Sequence, residues 1–507
     1  MKWSCAAGPG DGLPGRPRRH TPVLTIIRAN EDLAMHYREH FFIDGRWHTP
    51  SDSERFGILD PATENLCASV PRAHRADINA AVEAARRALP DWSATPAGQR
   101  REILLAVADE MQRRHADLVE AHVITLGCPV QITPAMHVDG PIEGMRYYAE
   151  RASRTEEIER RNGVAIVREP VGVCALINPW NYPLHQLVGK LAPALAAGCT
   201  VVTKPAEQTP LQDFIMAEIF QSVGLPAGVF NLVTGSGNEI GPLLASHPGV
   251  DMVSFTGSTR AGIEVAINAA AGVKRVCQEL GGKSPLVITE DADLTRAVRF
   301  GVENVMANSG QTCDAFTRML IPRSRLVDAE RIALTVAGEQ VVGDPADTAT
   351  TMGPLVSRRQ RDSVRQYIEQ GVAEGARLML GGTDSPEGLE QGYYVRPTLF
   401  SDVSNDMVIA RSEIFGPVLC LIPYDDLEQA IEIANDTPYG LSSAVYAASA
   451  EAALPIARRL KAGQCYLQGA EFSFDAPFGG YGQSGNGREW GDEGLEEYLE
   501  TKAILGG

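Results

Sequence analysis

Three side chains in this sequence stand where their neighbours let them do chemistry. Cys313 lies in NSGQTCDAFTR (308–318), a stretch of small polar residues just beyond a helical run and before an apolar one. A thiol on such a turn is partly exposed, and backbone N–H groups or the positive ring of a cofactor can stabilise its thiolate, the nucleophilic form. Cys174, Cys199 and Cys420 sit in apolar runs and read as inert core thiols. Glu279, in QELGGKSP (278–285), falls between a strand end and a glycine pair, where a carboxylate can border a cleft and take a proton from water. Asn181, in PWNYP (179–183), is held between two prolines at the end of an apolar run, and an amide fixed in this way can donate to an oxyanion. Each also has an ordinary reading, as a turn thiol, a surface charge and a turn-forming asparagine.

A second group suits a nucleotide. FTGSTRAG (255–262) ends a strand at Gly257 and opens a helix at Ser258 and Thr259, offering free N–H groups and the positive end of the dipole to a phosphate. A serine at a helix start is equally explained by capping. TVVTK (200–204) ends in Lys204, and Glu207 follows at what becomes the carboxyl edge of a sheet, where dinucleotides lie. Both can bond an adenosine ribose, an acid there repelling any added ribose phosphate, or both are solvated loop charges. Gly235, Gly237 and Gly241 miss the usual dinucleotide glycine spacing by one residue.

The elements that must hold these residues follow from periodicity. From residue 170 onward short apolar, β-branched runs alternate with helical segments: strands at 171–178, 200–204, 229–235 and 251–257, helices at 184–197, 210–223 and 237–246. That succession implies right-handed parallel crossovers and a doubly wound α/β sheet. A second α/β cycle begins after Gly281-Gly282, a candidate hinge, with strands at 284–289 and near 317–322 around a helix near 292–307. Ahead of the first sheet, 41–50 reads as a hairpin about Asp44-Gly45, and 76–89, 97–118 and 141–152 as amphipathic helices. Residues 1–34, rich in Gly, Pro and Arg, read as a flexible extension, with Met35 as an alternative start.

Bulk properties narrow the partners. The 507 residues carry 46 Lys and Arg against 64 Asp and Glu, a formal charge of −18, which argues against nucleic acid and anionic membrane. No apolar run approaches the ~20 residues of a spanning helix. Nine scattered cysteines without a CxxC pair point to reduced thiols in the cytoplasm, and all ten histidines lie at or before His247, giving no zinc-like cluster and placing none near Cys313. A cysteine hydrolase therefore lacks its histidine, and no metal is expected.

Taken together, the motifs PWNYP (179–183), KPAEQTP (204–210), FTGSTRAG (255–262), QELGGKSP (278–285), GQTC (310–313), EIFGPV (413–418) and PFGGYGQSGNGRE (477–489) resemble, in kind and order, the NAD-dependent, non-acylating branch of the aldehyde dehydrogenase superfamily. The resemblance runs from about residue 40 to residue 505. It implies an NAD-binding Rossmann-type domain (35–153 and 171–281), a second α/β catalytic domain (282–484) and a β-hairpin oligomerisation element (154–170 with 485–507), assembled as a homodimer or homotetramer. It implies Cys313 as nucleophile, Glu279 as base, and Asn181 with the Cys313 N–H as oxyanion hole. NAD would be held by Trp180, Lys204, Glu207, Gly257, Ser258, Glu413 and Phe415. A CoA-acylating relative generally lacks the base that Glu279 provides, and an idle scaffold need not keep all three catalytic residues.

The same resemblance places Gln186, Gly189, Thr312, Asp314, Phe472 and Phe474 in the substrate tunnel, with Gly189 widening it. Asp314, Glu471 and Asp475 disfavour an anionic semialdehyde and leave neutral aromatic or aliphatic aldehydes, or cationic amino aldehydes, as the expectation. Two positions depart from the family pattern: Gly482 replaces a lysine and Gln468 an asparagine.

Overall fold

The computed structural model describes residues 36–506. The expected extension 1–34 lies outside the described residues. Two sheets dominate. In the first, the strands run in the order Gly485–Asn486, Arg275–Glu279, Met252–Thr256, Val173–Ile177, Thr200–Lys204, Phe230–Leu232, Phe41–Ile43 and Arg46–His48. The middle five are parallel and the outer pairings antiparallel. Val173–Ile177 and Thr200–Lys204 are buried throughout, as a parallel sheet covered on both faces requires. Strand order reverses between Val173–Ile177 and Met252–Thr256, so the loops carrying Asn181 and Gly257 leave the sheet side by side at a switch point, the place where α/β sheets form ligand crevices.

The second sheet runs Arg377–Leu380, Thr398–Ser401, Val418–Tyr424, Arg318–Pro322, Pro285–Ile288, Ser442–Tyr446, Gln464–Leu467, antiparallel only at its first pair. Leu294–Met306 packs its apolar face against it through Val298, Phe300 and Val305. A separate ribbon joins Glu159–Arg161, Val164–Pro170 and Leu499–Leu505. Its tight turn is Asn162-Gly163, both with positive φ, and the hairpin at 41–48 turns on Asp44-Gly45 in the same way.

Several boundaries differ from the sequence reading. Residues 485–507, expected wholly with the ribbon, divide: Gly485–Asn486 pairs with Arg275–Glu279 in the first sheet, and only Leu499–Leu505 joins the ribbon. The helix expected over 97–118 splits into Ala97–Arg113 and His115–Leu126 at Arg114, which bonds to Asp117 and Glu218. A π-helix, Pro134–Asp139, precedes Gly140–Arg151, and a second three-stranded sheet, of His36–Tyr37, Leu66–Pro71 and Arg55–Leu59, flanks the core; neither has a periodic signature of its own.

Candidate active site

The site is assembled where the two large sheets meet. Cys313 follows a turn in which Asn308, Ser309 and Gly310 all adopt the left-handed region, with φ of 49°, 56° and 75°. Such a conformation costs ~1–3 kcal/mol per non-glycine residue and persists only where its surroundings over-determine it. Here they do. Asn308 Nδ2 donates to Asn181 O at 2.9 Å, Ser309 Oγ to Gly353 O at 2.8 Å, and Gln311 Nε2 to Asn308 O at 3.1 Å, while Gln311 Oε1 accepts from Val356 N at 2.9 Å. A side chain at Gly310 would collide with the Gly416 carbonyl. The thiol so presented is part-buried, and burial, then Asp314 and Glu413, push its pKa well above the ordinary thiol value.

Asn181 leaves Val173–Ile177 through Pro179 and is buried; its Nδ2 donates one hydrogen to Gln311 O at 3.0 Å, two residues before the thiol, and the amide has a second to give. Glu279 ends Arg275–Glu279 and is buried, with neither carboxylate oxygen hydrogen-bonded among the described residues. Burial, and then neighbouring Glu489, raise its pKa well above the usual carboxylate range, with Lys190 opposing. Gly479 leaves the carboxylate its room, since a Cβ there would lie 2.6 Å from Oε1.

Two partners of this region were not singled out in the sequence. Lys190 and Glu489 form a wholly buried ion pair at 2.6 Å, and Lys190 Nζ also donates to Gln186 Oε1 at 3.1 Å, an oxygen shared with Thr256 Oγ1 at 3.2 Å. The available signal was Lys190 itself, a lone charge inside the apolar helix Pro183–Ala197, which must find a partner once buried.

Two cavities open on Cys313, and it is the residue they share. One, of about 370 Å³, passes Gly257 and Ser258, Trp180, Gly281, Glu413 and Phe415. Ser258 caps Thr259–Ala270, its Oγ accepting from Ala261 N, so the first turn of a twelve-residue helix faces this cavity. Glu413 Oε1 accepts from Gly282 N at 3.0 Å, and burial raises its pKa to about 7. Trp180 and Phe415 meet edge to face at 5.2 Å. Gln208 Oε1 in the same lining is buried without a hydrogen-bond partner among the described residues. Lys204 and Glu207 lie off this lining, beside Gly237: Lys204 Nζ donates to Pro205 O at 2.7 Å and Glu207 Oε1 accepts from Gly237 N at 2.5 Å. A helix N-terminus, a carboxylate able to accept from a ribose hydroxyl, aromatic walls and an amide oxygen unpaired among the described residues fit a dinucleotide. Gly281 and Gly282, expected as a hinge, serve close approach: side chains would meet the Glu413 carboxylate at the first and the Cys313 carbonyl, at 2.5 Å, at the second.

The other cavity, of about 280 Å³, is walled by Tyr182, His185, Phe472, Phe474, Phe478 and Trp490, with Gln186 and Asp314 also in its lining. Thr312 stands behind Tyr182, hydrogen-bonded to its hydroxyl at 2.9 Å. Three expectations change. Thr312, expected in the tunnel, lies behind its lining. Gly189 does not widen the tunnel, because the Trp490 indole occupies the space: a Cβ at Gly189 would lie 3.1 Å from Trp490 Cζ2. Asp475 is not in the lining and is paired with Arg151 at 2.7 Å. A histidine does reach the Cys313 cavity, His185, but it packs on Phe472 and Trp490 and makes no hydrogen bond to the thiol among the described residues. Gln468, the departure near this end, takes φ of 52° and bonds Ala447 through both amide atoms. Gly482, the other, has φ of 58°, a conformation that a lysine rarely adopts. Among the described residues the one group with metal-ligand geometry is Asp52, Glu54 and His74, remote in sequence from every site residue; no helix is long and apolar enough to cross a membrane.

Residues 47–504 match the model of the aldehyde dehydrogenase family. The chain is 49% identical over 473 residues, 93% of its length and 98% of the relative's, to 3-succinoylsemialdehyde-pyridine dehydrogenase of a Pseudomonas species. Among solved structures it is similar to a variant of aldehyde dehydrogenase C from Pseudomonas syringae in complex with NAD+ and octanal, at 47% identity and a TM-score of 0.91, covering 92% of this chain and 96% of that one. A Mycobacterium tuberculosis aldehyde dehydrogenase bound to NAD+ gives 41% identity and a TM-score of 0.91, over 93% and 98% of the two chains.

Proposed function

The chain belongs to the aldehyde dehydrogenase family, and from that premise we propose that it oxidises an uncharged aldehyde to its carboxylic acid with NAD, through a covalent adduct on Cys313. The observation that carries this reading is the position of Cys313, whose side chain borders both the polar cavity and the aromatic one. A nucleophile placed there can hold an aldehyde carbon against a cofactor, which is the proximity that such chemistry needs.

Cys313 first loses its proton to water in the cavity, Sγ then adds as the thiolate to the aldehyde carbon, and the new alkoxide is stabilised by the Asn181 amide and the Cys313 N–H. Donors of this kind are worth roughly 3–4 kcal/mol each in comparable sites. When bound, NAD would supply the acceptor for the hydride that leaves the Cys313 adduct; Trp180, Glu413 and Phe415 would hold one end of it and Gly257, Ser258, Lys204 and Glu207 the other. The Cys313 thioester is then attacked by water from which Glu279 takes a proton. A buried, unpaired carboxylate with a raised pKa suits a base.

The substrate wall favours an uncharged molecule. It carries no Lys or Arg to meet a carboxylate, and two of its acids are already paired, Asp139 with His115 and Glu143 with Arg146. The relatives named for a pyridine semialdehyde and bound to octanal support a tail with an apolar body. The enzyme works as a homo-oligomer through the ribbon of 159–170 and Leu499–Leu505, in the cytoplasm, where its thiols stay reduced.

The test is NADH production from NAD and a panel of neutral, anionic and cationic aldehydes, wild type beside Cys313→Ala. Turnover with neutral aldehydes, lost in the variant while NAD still binds, is expected. Appreciable turnover in Cys313→Ala refutes the nucleophile, and highest kcat/KM for a dicarboxylic semialdehyde refutes the substrate class.

A further inference from the structure

Among the aromatic residues around the substrate cavity, Trp490 is the one built in by the fold. Its backbone takes φ of 61°, sparsely populated for a bulky residue, and its indole fills a slot left by two glycines on different helices. A Cβ at Gly144, in Gly140–Arg151, would lie 2.8 Å from Trp490 Cη2; one at Gly189, in Pro183–Ala197, would lie 3.1 Å from Cζ2. Phe472 meets Trp490 at 82° and 6.1 Å, Phe474 at 64° and 4.9 Å, and Phe472 crosses Phe474 at 88° and 5.2 Å. Rings crossed in this way present both faces and edges to whatever enters, the arrangement that receives another flat ring. At about 280 Å³ the cavity lies just below the usual range for ligand sites, ~300–1,000 Å³, which suits one ring on a short chain.

Into this wall the fold sets one polar ring. His185 packs against Trp490 at 4.9 Å and Phe472 at 5.7 Å, borders the cavity and makes no hydrogen bond among the described residues. Two other uncharged polar side chains of the lining are committed, Tyr182 to Thr312 and Gln186 to Lys190 and Thr256. Burial, then nearby Lys190, hold the imidazole pKa down to about 4, so at neutral pH it is uncharged and keeps one N–H to donate.

We propose that the pocket selects aldehydes whose tail is a flat aromatic ring bearing a hydrogen-bond acceptor, and that His185 is the residue that reads the acceptor while the part-exposed Phe472 and Phe474, held in place by the buried Trp490, receive the ring. This rests on the aldehyde-oxidising reading of Cys313 and narrows its substrate class. An aliphatic tail uses the aromatic wall but leaves the imidazole unpaired once water is displaced, and an unpaired buried donor is costly.

The test uses two nearly isosteric aldehydes, phenylpropanal and its pyridyl counterpart. With NAD and the wild-type enzyme, kcat/KM should favour the pyridyl compound by about tenfold, the value of one net hydrogen bond. In His185→Phe the ratio should fall to near one; being a ratio within one protein, it is insensitive to a general loss of activity. A wild-type ratio near one, or a preference that survives in His185→Phe, overturns the proposal. Calorimetric binding of both aldehydes to NAD-loaded Cys313→Ala, with and without His185→Phe, separates the two readings. If wild type turns over neither aldehyde but Cys313→Ala binds the pyridyl compound more tightly and the double variant does not, the reaction assignment fails and the role of His185 stands. Turnover accompanied by equal binding of both aldehydes sinks the role of His185 alone.

Discussion

Glu279 shows how far one residue's environment sets its chemistry. Burial, and then neighbouring Glu489, hold its proton more firmly than in water, and neither oxygen has a hydrogen bond among the described residues. A base must be deprotonated to act, and a raised pKa moves that event upward, so thioester hydrolysis should rise with pH through a value above the ordinary glutamate range. Glu279→Gln should remove this limb and give a burst of about one NADH per site followed by a stall. Rapid-mixing absorbance checks it, and steady turnover without a burst-limited stall would show that Glu279 is not the base. Lys190 and Glu489 belong to the same scale: a charge pair with no access to solvent keeps Glu489 fixed beside the Glu279 site and leaves Gln186 oriented along the cavity wall.

At the scale of elements, the decisive feature is the left-handed turn Asn308-Ser309-Gly310, which aims Cys313 and is pinned by loops from both sheets. Only its third residue is the type that adopts this conformation freely. Gly310→Ala should lose at least ~1–2 kcal/mol from the backbone conformation alone, with the collision against Gly416 added, and should move the thiol. The expected outcome is a lower thermal midpoint together with a fall in kcat of at least tenfold. A variant with wild-type midpoint and kcat would mean that the turn is not strained in the way its dihedral angles indicate.

For the whole molecule, the ribbon formed by Val164–Pro170, Glu159–Arg161 and Leu499–Leu505 leaves open strand edges and exposed Ile158, Ile504 and Leu505. Unprotected edges and apolar side chains of this kind are normally covered by a neighbouring subunit. Truncation after Tyr498 removes one strand of the ribbon, and light scattering should then show a smaller assembly than for the full chain. An unchanged mass would show that the ribbon carries no subunit contact.

Much of this was legible before any coordinates. The period of apolar residues located the strands around Asn181, Lys204 and Gly257, because a parallel strand buried on both faces must be continuously apolar, and the Asp44-Gly45 turn marked its hairpin because few residue pairs accept two positive φ values. Residue type and local context also isolated Cys313 from the core cysteines. What the chain alone left undecided was everything that depends on which distant segments share a volume. Trp490 fills the space beside Gly189 from 301 positions further along, as Glu489 neutralises Lys190 from 299. His185, distant from Cys313 in sequence, reaches the same cavity. Local propensity acts over a few residues, whereas packing and charge neutralisation act through space, so the pocket's shape and its free imidazole emerged only with the tertiary fold.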